Sequence, residues 1–330
     1  MKFAVLGLLV FLGGEVFLRS KGYHKPLLYM NDVYAGYRIQ PNQHVCWEGG
    51  EVFINNHGMR NRYDINEEKP DETFRVLLIG DSTLYGNDDL PQDVIYSERL
   101  EKLLSADAGG RRVEVLNWGV NAAGPDQNYG MLRRYPHAFS SDIVLVCVPL
   151  LDVYRPKQDI TLSRRQMNRP YLAWETVAVY YLPEFRAWFN KRTTYKTVSN
   201  PTFDSQELME EGIKAYISLV KTAESSGSES WIEILPQIFA GIDADKGQIT
   251  NGDYLQVWEY LQRETSTNGI IAYLPLAVFK GKGKASDVWH DPAHLGPQGH
   301  KYYADYLFRQ IEKNSSKWNT FKNISKEGKQ

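Results

Sequence analysis

The sequence predicts an α/β protein with a central, mostly parallel sheet of about five strands covered by helices on both faces. Three observations carry this prediction. Five apolar runs, "RVLLIG", "RVEVLNWG", "DIVLVCVPLLDV", "WIEILP" and "GIIAYLPL", read as nearly continuous hydrophobic stretches, as strands buried on both faces do. Amphipathic segments separate them, so strand and helix alternate along the chain. The first run ends in Gly80-Asp81-Ser82-Thr83. That is polar chemistry at the carboxyl end of a strand, where ligands bind in such sheets.

Bulk properties set the bounds. A chain of 330 residues, 42% hydrophobic and 24% charged, buries a full core as one large domain with extensions. A formal net charge of -2 gives no bulk attraction to nucleic acid. The two cysteines, Cys46 and Cys147, form no C-x-x-C pair. They cannot build a zinc site by themselves, and nothing in their spacing supports a disulfide. Cys147 lies within an apolar run and reads as a small core side chain.

The elements follow in order. Residues 1–20, "MKFAVLGLLVFLGGEVFLRS", are apolar from Phe3 to Leu18 except for Glu15. The run is short for a span and lacks a small-x-small cleavage site, so an uncleaved signal anchor is expected. Residues 21–70 lack helical periodicity, contain turn chemistry at Asn55-Asn56-His57-Gly58, and are expected to pack on the main domain. The main domain is placed at 71–313. After the first strand, Asp93 to Asp107 reads as an amphipathic helix stopped by Gly109-Gly110. A second strand, a helix from Pro125 and a third strand follow. Asp204 to Gly227 reads as a long helix, then come a fourth strand, a helix, a fifth strand and a closing helix. Residues 154–203 form an insertion longer than an ordinary connection. It is rich in arginine and tryptophan, and either a lid or a packed helical insertion fits it. "KGKGK" (280–284) reads as a solvated basic loop, and 314–330 as a polar, frayed tail.

Two short motifs carry the chemistry. Ser82 follows the first strand, but a serine hydroxyl needs a base within reach and donors for the oxyanion. By itself Asp81-Ser82-Thr83 reads as a helix cap before it reads as a catalytic site. Near the other end, "HDPAHLGPQGH" sets Asp291 three residues before His294. A carboxylate there can hold one imidazole nitrogen while the other faces a nucleophile. A metal site built from His290, Asp291, His294 and His300 is the rival, and Pro292 argues against a helix presenting His290 and His294 together.

In this order, the motifs resemble the SGNH hydrolase (GDSL-like esterase and lipase) superfamily, from about Arg75 to Lys313. "GDS" resembles the first block, "LNWGVNAAGPDQ" the second and "DPAHLGPQGH" the fifth. "INNHGMRNR" ahead of "FRVLLIGDST" is similar to bacterial members with an N-terminal membrane anchor. The resemblance implies a flavodoxin-like three-layer sandwich. It implies a catalytic triad of Ser82, Asp291 and His294, with the backbone N–H groups of Ser82 and Gly119 in the oxyanion hole. It implies no cofactor and no metal, and it assigns no substrate-binding residue. One departure stands out. The third block's G-x-N-D becomes Pro149-Leu150-Leu151-Asp152, so Leu151 replaces an asparagine that would donate to the oxyanion. The expected function is a serine esterase acting through an acyl-enzyme on a small-molecule or glycan ester, O-acetyl or short acyl. The domain is expected outside the cytoplasm, periplasmic or at the cell surface, held to the membrane by residues 1–20. An O-acyltransferase on the same triad and a non-catalytic binding protein are the alternatives.

Overall fold

The computed structural model describes residues 2–47, 50–156, 168–181, 205–237, 242–243, 246–282 and 285–327. Most of the 154–203 insertion lies outside these residues.

Helix α1 (Lys2–Ser20) is long and apolar enough to cross a membrane, with a mean hydropathy of 1.8 and 6% of its window buried. Two antiparallel hairpins follow, β1 (Tyr29–Asp32) with β2 (Gly36–Ile39), and β3 (Gln43–Trp47) with β4 (Gly50–Ile54). Then come β5 (Thr73–Gly80), the single turn α2 (Ser82–Tyr85), α3 (Tyr96–Asp107) and β6 (Arg112–Gly119). Next are α4 (Pro125–Arg134), β7 (Ile143–Pro149), α5 (Ala173–Tyr181), α6 (Gln206–Ser225) and β8 (Glu229–Leu235). The chain closes with α7 (Gly252–Thr267), β9 (Ala272–Tyr273), α8 (Pro297–Asn314) and α9 (Ser316–Glu327).

The central sheet is parallel, in the order β9-β8-β7-β5-β6. Counted along the chain, that is the flavodoxin-like order, and it reverses direction beside β5. Strand alternation splits the core into two layers. Leu77, Ile79, Leu116, Trp118, Val144 and Val146 face the layer that holds α6 and α7. Val76, Leu78, Val115, Leu145 and Cys147 face the layer that holds α3 and α8. The fold class expected from the sequence is met.

The segment from Leu27 to Ile65 contributes Tyr29, Tyr37, Ile39, Val52, Ile54 and Met59 to the first layer. Its Arg60 N–H donates to Asn117 C=O at 2.9 Å, and Asn61 Nδ2 donates to Val115 C=O at 2.8 Å. These residues occupy the free edge of β6, which would otherwise offer an unpaired ladder.

The structure departs from the sequence reading in four places. The first helix begins at Tyr96 rather than Asp93, because Ile95 is extended and Gln92–Val94 form a 3-10 turn. The third strand stops at Pro149, whose ring cannot donate to a ladder, and Leu150–Tyr154 turn as a 3-10 helix. The fifth strand shrinks to two paired residues at the sheet edge. The tail is not frayed through Glu327: α9 forms because Trp318 is fully buried, 4.9 Å from the Phe74 ring.

Candidate active site

Ser82 opens α2 directly after β5. The local sequence makes that turn tight. Asp81 caps it, its Oδ1 accepting from Thr83 N–H at 2.9 Å and Thr83 Oγ1 at 2.7 Å. A Cβ on Gly119 would overlap the Tyr85 N and Asp81 carbonyl oxygen, so only glycine lets β6 run this close to the turn. Arg60 supports the turn from beneath. Its buried guanidinium donates to the carbonyls of Tyr85 at 2.9 Å, Gly86 at 3.1 Å, Asn87 at 3.0 Å and Leu90 at 2.7 Å.

Asp291 and His294 occupy a loop closed by the Trp289–Leu295 bridge and by His290 N–H donating to His294 C=O at 2.9 Å. Gln237 Nε2, just past β8, donates to Ala293 C=O at 3.2 Å and ties the loop to the sheet. The Asp291 carboxylate accepts the N–H groups of Ala293 (2.7 Å) and His294 (2.9 Å). Its Oδ2 lies 2.8 Å from His294 Nδ1, and His294 Nε2 lies 3.0 Å from Ser82 Oγ. Partial burial pulls the Asp291 carboxyl upward, but those backbone donors and the imidazole outweigh it and hold it below its ordinary value. An ionised Asp291 selects the tautomer with the proton on Nδ1, leaving Nε2 to accept from the Ser82 hydroxyl. The three residues, 212 apart at their extremes, thus form one hydrogen-bonded chain at the carboxyl edge of the sheet, beside the point where strand order reverses.

The four residues of the rival metal cluster do not converge. His300 turns into the α3 layer, where its Nδ1 accepts from Tyr96 N–H at 3.2 Å. Burial pushes its pKa down to about 3, so it stays neutral. His290 faces Asp89 at 3.4 Å instead.

The oxyanion side differs from expectation. The Gly119 N–H is already engaged, donating to Asn117 Oδ1 at 3.0 Å. The same Asn117 uses Nδ2 to hold Leu84 C=O and Ser97 Oγ. Gly119 therefore serves close packing here, and its N–H would have to leave Asn117 to meet an oxyanion. The following turn is closed by Ala123 N–H to Val120 C=O at 3.0 Å and carries Ala122 at φ 61°. Among the described residues the N–H groups of Asn121 and Ala122 meet no acceptor. The Asn121 side chain is taken, donating to Tyr29 OH at 2.9 Å. Leu151 is half-buried against the first core layer and offers no donor.

Sequence reasoning missed one group. Asp152 and Arg155 flank Asp81: Arg155 Nη2 lies 2.9 Å from Asp152 Oδ1, and Nη1 lies 3.6 Å from Asp81 Oδ2. Burial pushes the Asp152 carboxyl well up; Arg155 opposes this and Asp81 adds to it. The single 3-10 turn from Asp152 to Arg155 gives the i, i+3 spacing that could have signalled the pair.

No protein-family model matches the chain, and no curated protein does. Solved structures do. The chain is similar to a point mutant of Axe2, an acetyl-xylooligosaccharide esterase from Geobacillus stearothermophilus, at 15% identity and TM-score 0.46, covering 72% of this chain and 94% of that one. It is similar to the acetyl xylan esterase AlAXEase at 11% identity and TM-score 0.43, over 72% and 100% of the two chains. It is similar to a G-D-S-L family protein from Desulfitobacterium hafniense at 14% identity and TM-score 0.40, over 71% and 98%. Such distant likeness transfers no substrate. The five-stranded parallel sheet has the flavodoxin-like order and brings the GDS turn and the D-x-x-H loop together at one edge, the arrangement that the resemblance to SGNH (GDSL-like) hydrolases implies.

Proposed function

We propose that the chain is a serine esterase that cleaves an oxygen ester through an acyl-enzyme. The observation that carries this reading is the unbroken hydrogen-bond chain from Ser82 Oγ through His294 to Asp291. In the reaction, His294 Nε2 takes the Ser82 proton as Oγ bonds to the acyl carbon. The same proton then passes to the departing oxygen as the acyl–oxygen bond breaks. Water, deprotonated by His294, attacks the acyl group and returns Ser82. Asp291 stabilises the imidazolium formed at each step. The Ser82 N–H, the first of α2, has no intrahelical acceptor and is one oxyanion donor. Gly119 is the second if its bond to Asn117 yields, and the Ala122 N–H is the alternative.

We infer the substrate class, an O-acetyl or short-acyl ester on a small molecule or glycan, from the family whose motif order the chain shares. Membrane attachment through residues 1–20 is supported by the exposure of Phe3, Leu6, Leu9, Val10 and Phe17. The domain would then lie on the extracytoplasmic side.

A fluorophosphonate probe tests the chemistry. It should label Ser82, and Ser82→Ala should abolish hydrolysis of p-nitrophenyl acetate. Leu151 favours a second reading, a non-catalytic binding protein on the same fold. Folded protein that neither labels nor turns over would establish that second reading in place of the first.

A further inference from the structure

The β3–β4 hairpin carries chemistry that the Ser82 site does not use. Its register pairs Cys46 with Glu51 and His44 with Phe53. Gln43, Val45, Val52 and Ile54 point inward. Strand alternation therefore sends His44, Cys46 and Glu51 to one outward face. On that face His44 Nε2 lies 2.9 Å from Glu51 Oε1 and 3.8 Å from Cys46 Sγ. The donor atoms of all three residues lie within 4.8 Å of one another.

These separations suit a metal. Zinc binds nitrogen and oxygen at about 2.0–2.2 Å and sulfur at about 2.3 Å in a tetrahedron, which sets neighbouring donors roughly 3.3–3.6 Å apart. The two measured separations from His44 bracket that range. Side-chain rotation alone can close the difference, because all three side chains are exposed. The His44 ring is meanwhile held flat on Phe53, with centroids 4.4 Å apart and planes at 11°.

We propose that His44, Cys46 and Glu51 bind one zinc ion, with a fourth position left to water. Imidazole, thiolate and carboxylate together form a borderline donor set that suits zinc over calcium or magnesium. Binding displaces the Cys46 thiol proton, so affinity rises with pH. The site has a structural use. A Cβ on Gly22, just beyond α1, would overlap the Cys46 carbonyl oxygen, and the Tyr23 ring lies 4.5 Å from that of Trp47. The end of α1 therefore docks on the strand that supplies two of the ligands. Zinc would clip the hairpin at the joint between α1 and the sheet domain.

The test uses the full chain in detergent, reduced and stripped with a chelator. Titration with Co2+ should give an intense thiolate-to-cobalt absorption that saturates at one equivalent and is displaced by Zn2+. Cys46→Ser should abolish that band. His44→Ala and Glu51→Gln should each weaken Zn2+ binding by at least about tenfold. A chain whose Cys46 reacts with a thiol reagent yet gives no thiolate–cobalt band would overturn the proposal. So would Zn2+ affinity unchanged in Cys46→Ser and His44→Ala.

Discussion

Asp152 stands within hydrogen-bond reach of Asp81 beside Ser82, and burial raises its carboxyl well above the usual range. Arg155 provides one positive charge to these two acids. Among the described residues no donor reaches Asp152 Oδ2. A protonated Asp152 would donate to Asp81 and meet this need. Asp81 then keeps its other oxygen for capping Thr83.

A pair of variants tests this arrangement. Asp152→Asn supplies an amide N–H in place of the carboxyl proton and should keep stability and most of the turnover. Asp152→Ala leaves Asp81 buried without that donor. It should lose about 1–3 kcal/mol in urea unfolding and lower kcat with it. Equal losses in both variants would mean that the charge of Asp152 matters rather than its proton.

Glu233 predicts a pH dependence of stability. It is buried on β8, accepting from Trp231 Nε1 at 2.7 Å and Tyr306 OH at 2.9 Å. Burial raises its pKa from 4.5 to about 8, and those two donors only partly offset this. A raised acid pKa means that the folded state holds the proton longer than the unfolded state. The stability it confers is complete below about pH 4.5 and is lost as pH rises toward 8, at up to about 1.4 kcal/mol per pH unit. Glu233→Gln mimics the protonated form, since its oxygen can accept from Trp231 and its amide can donate to Tyr306. Unfolding free energies measured from pH 5 to 9 should fall less steeply in this variant. Parallel curves for the two proteins would contradict the assignment.

Much of this was legible in the sequence, and the reasons are local. Strands buried on both faces announce themselves as apolar runs, so β5 to β8 were readable. Asp291 and His294 sit three apart, and Ser82 follows a strand, so only their meeting needed the fold. Gly119 was read through its motif, whereas its N–H is taken by Asn117, two residues away. That competition is a matter of side-chain geometry, which spacing does not encode. The tail failed for a different reason. Its composition is polar, and one buried tryptophan outweighs that composition.

Trp318 therefore makes a sharp stability test. It is fully buried between Phe74 and Phe321, with ring centroids 4.9 Å and 5.9 Å away. Trp318→Ala removes a large side chain from a formed core and should cost about 3–5 kcal/mol. Thermal unfolding would show it as a lowered midpoint, with the labelling of Ser82 retained below the transition. An unchanged midpoint would mean that α9 does not pack on the sheet domain.

Leu151 bears on the missing donor. It is the second residue of the turn after Pro149 and contributes only apolar surface. If the Ser82 N–H and one further backbone N–H are the only oxyanion donors, transition-state stabilisation is incomplete. Removing one such donor elsewhere costs on the order of 10²–10³ in rate. Leu151→Asn should restore part of that, raising kcat about ten- to a hundredfold with little change in KM, because the new bond forms chiefly in the transition state. Pro149 fixes the backbone just before this turn and limits how well the amide can aim. Steady-state kinetics on an activated acetyl ester would decide the matter. A fall in kcat in stably folded protein would mean that another group already fills the third position. The Ala122 N–H, one turn beyond β6, would then be the first candidate.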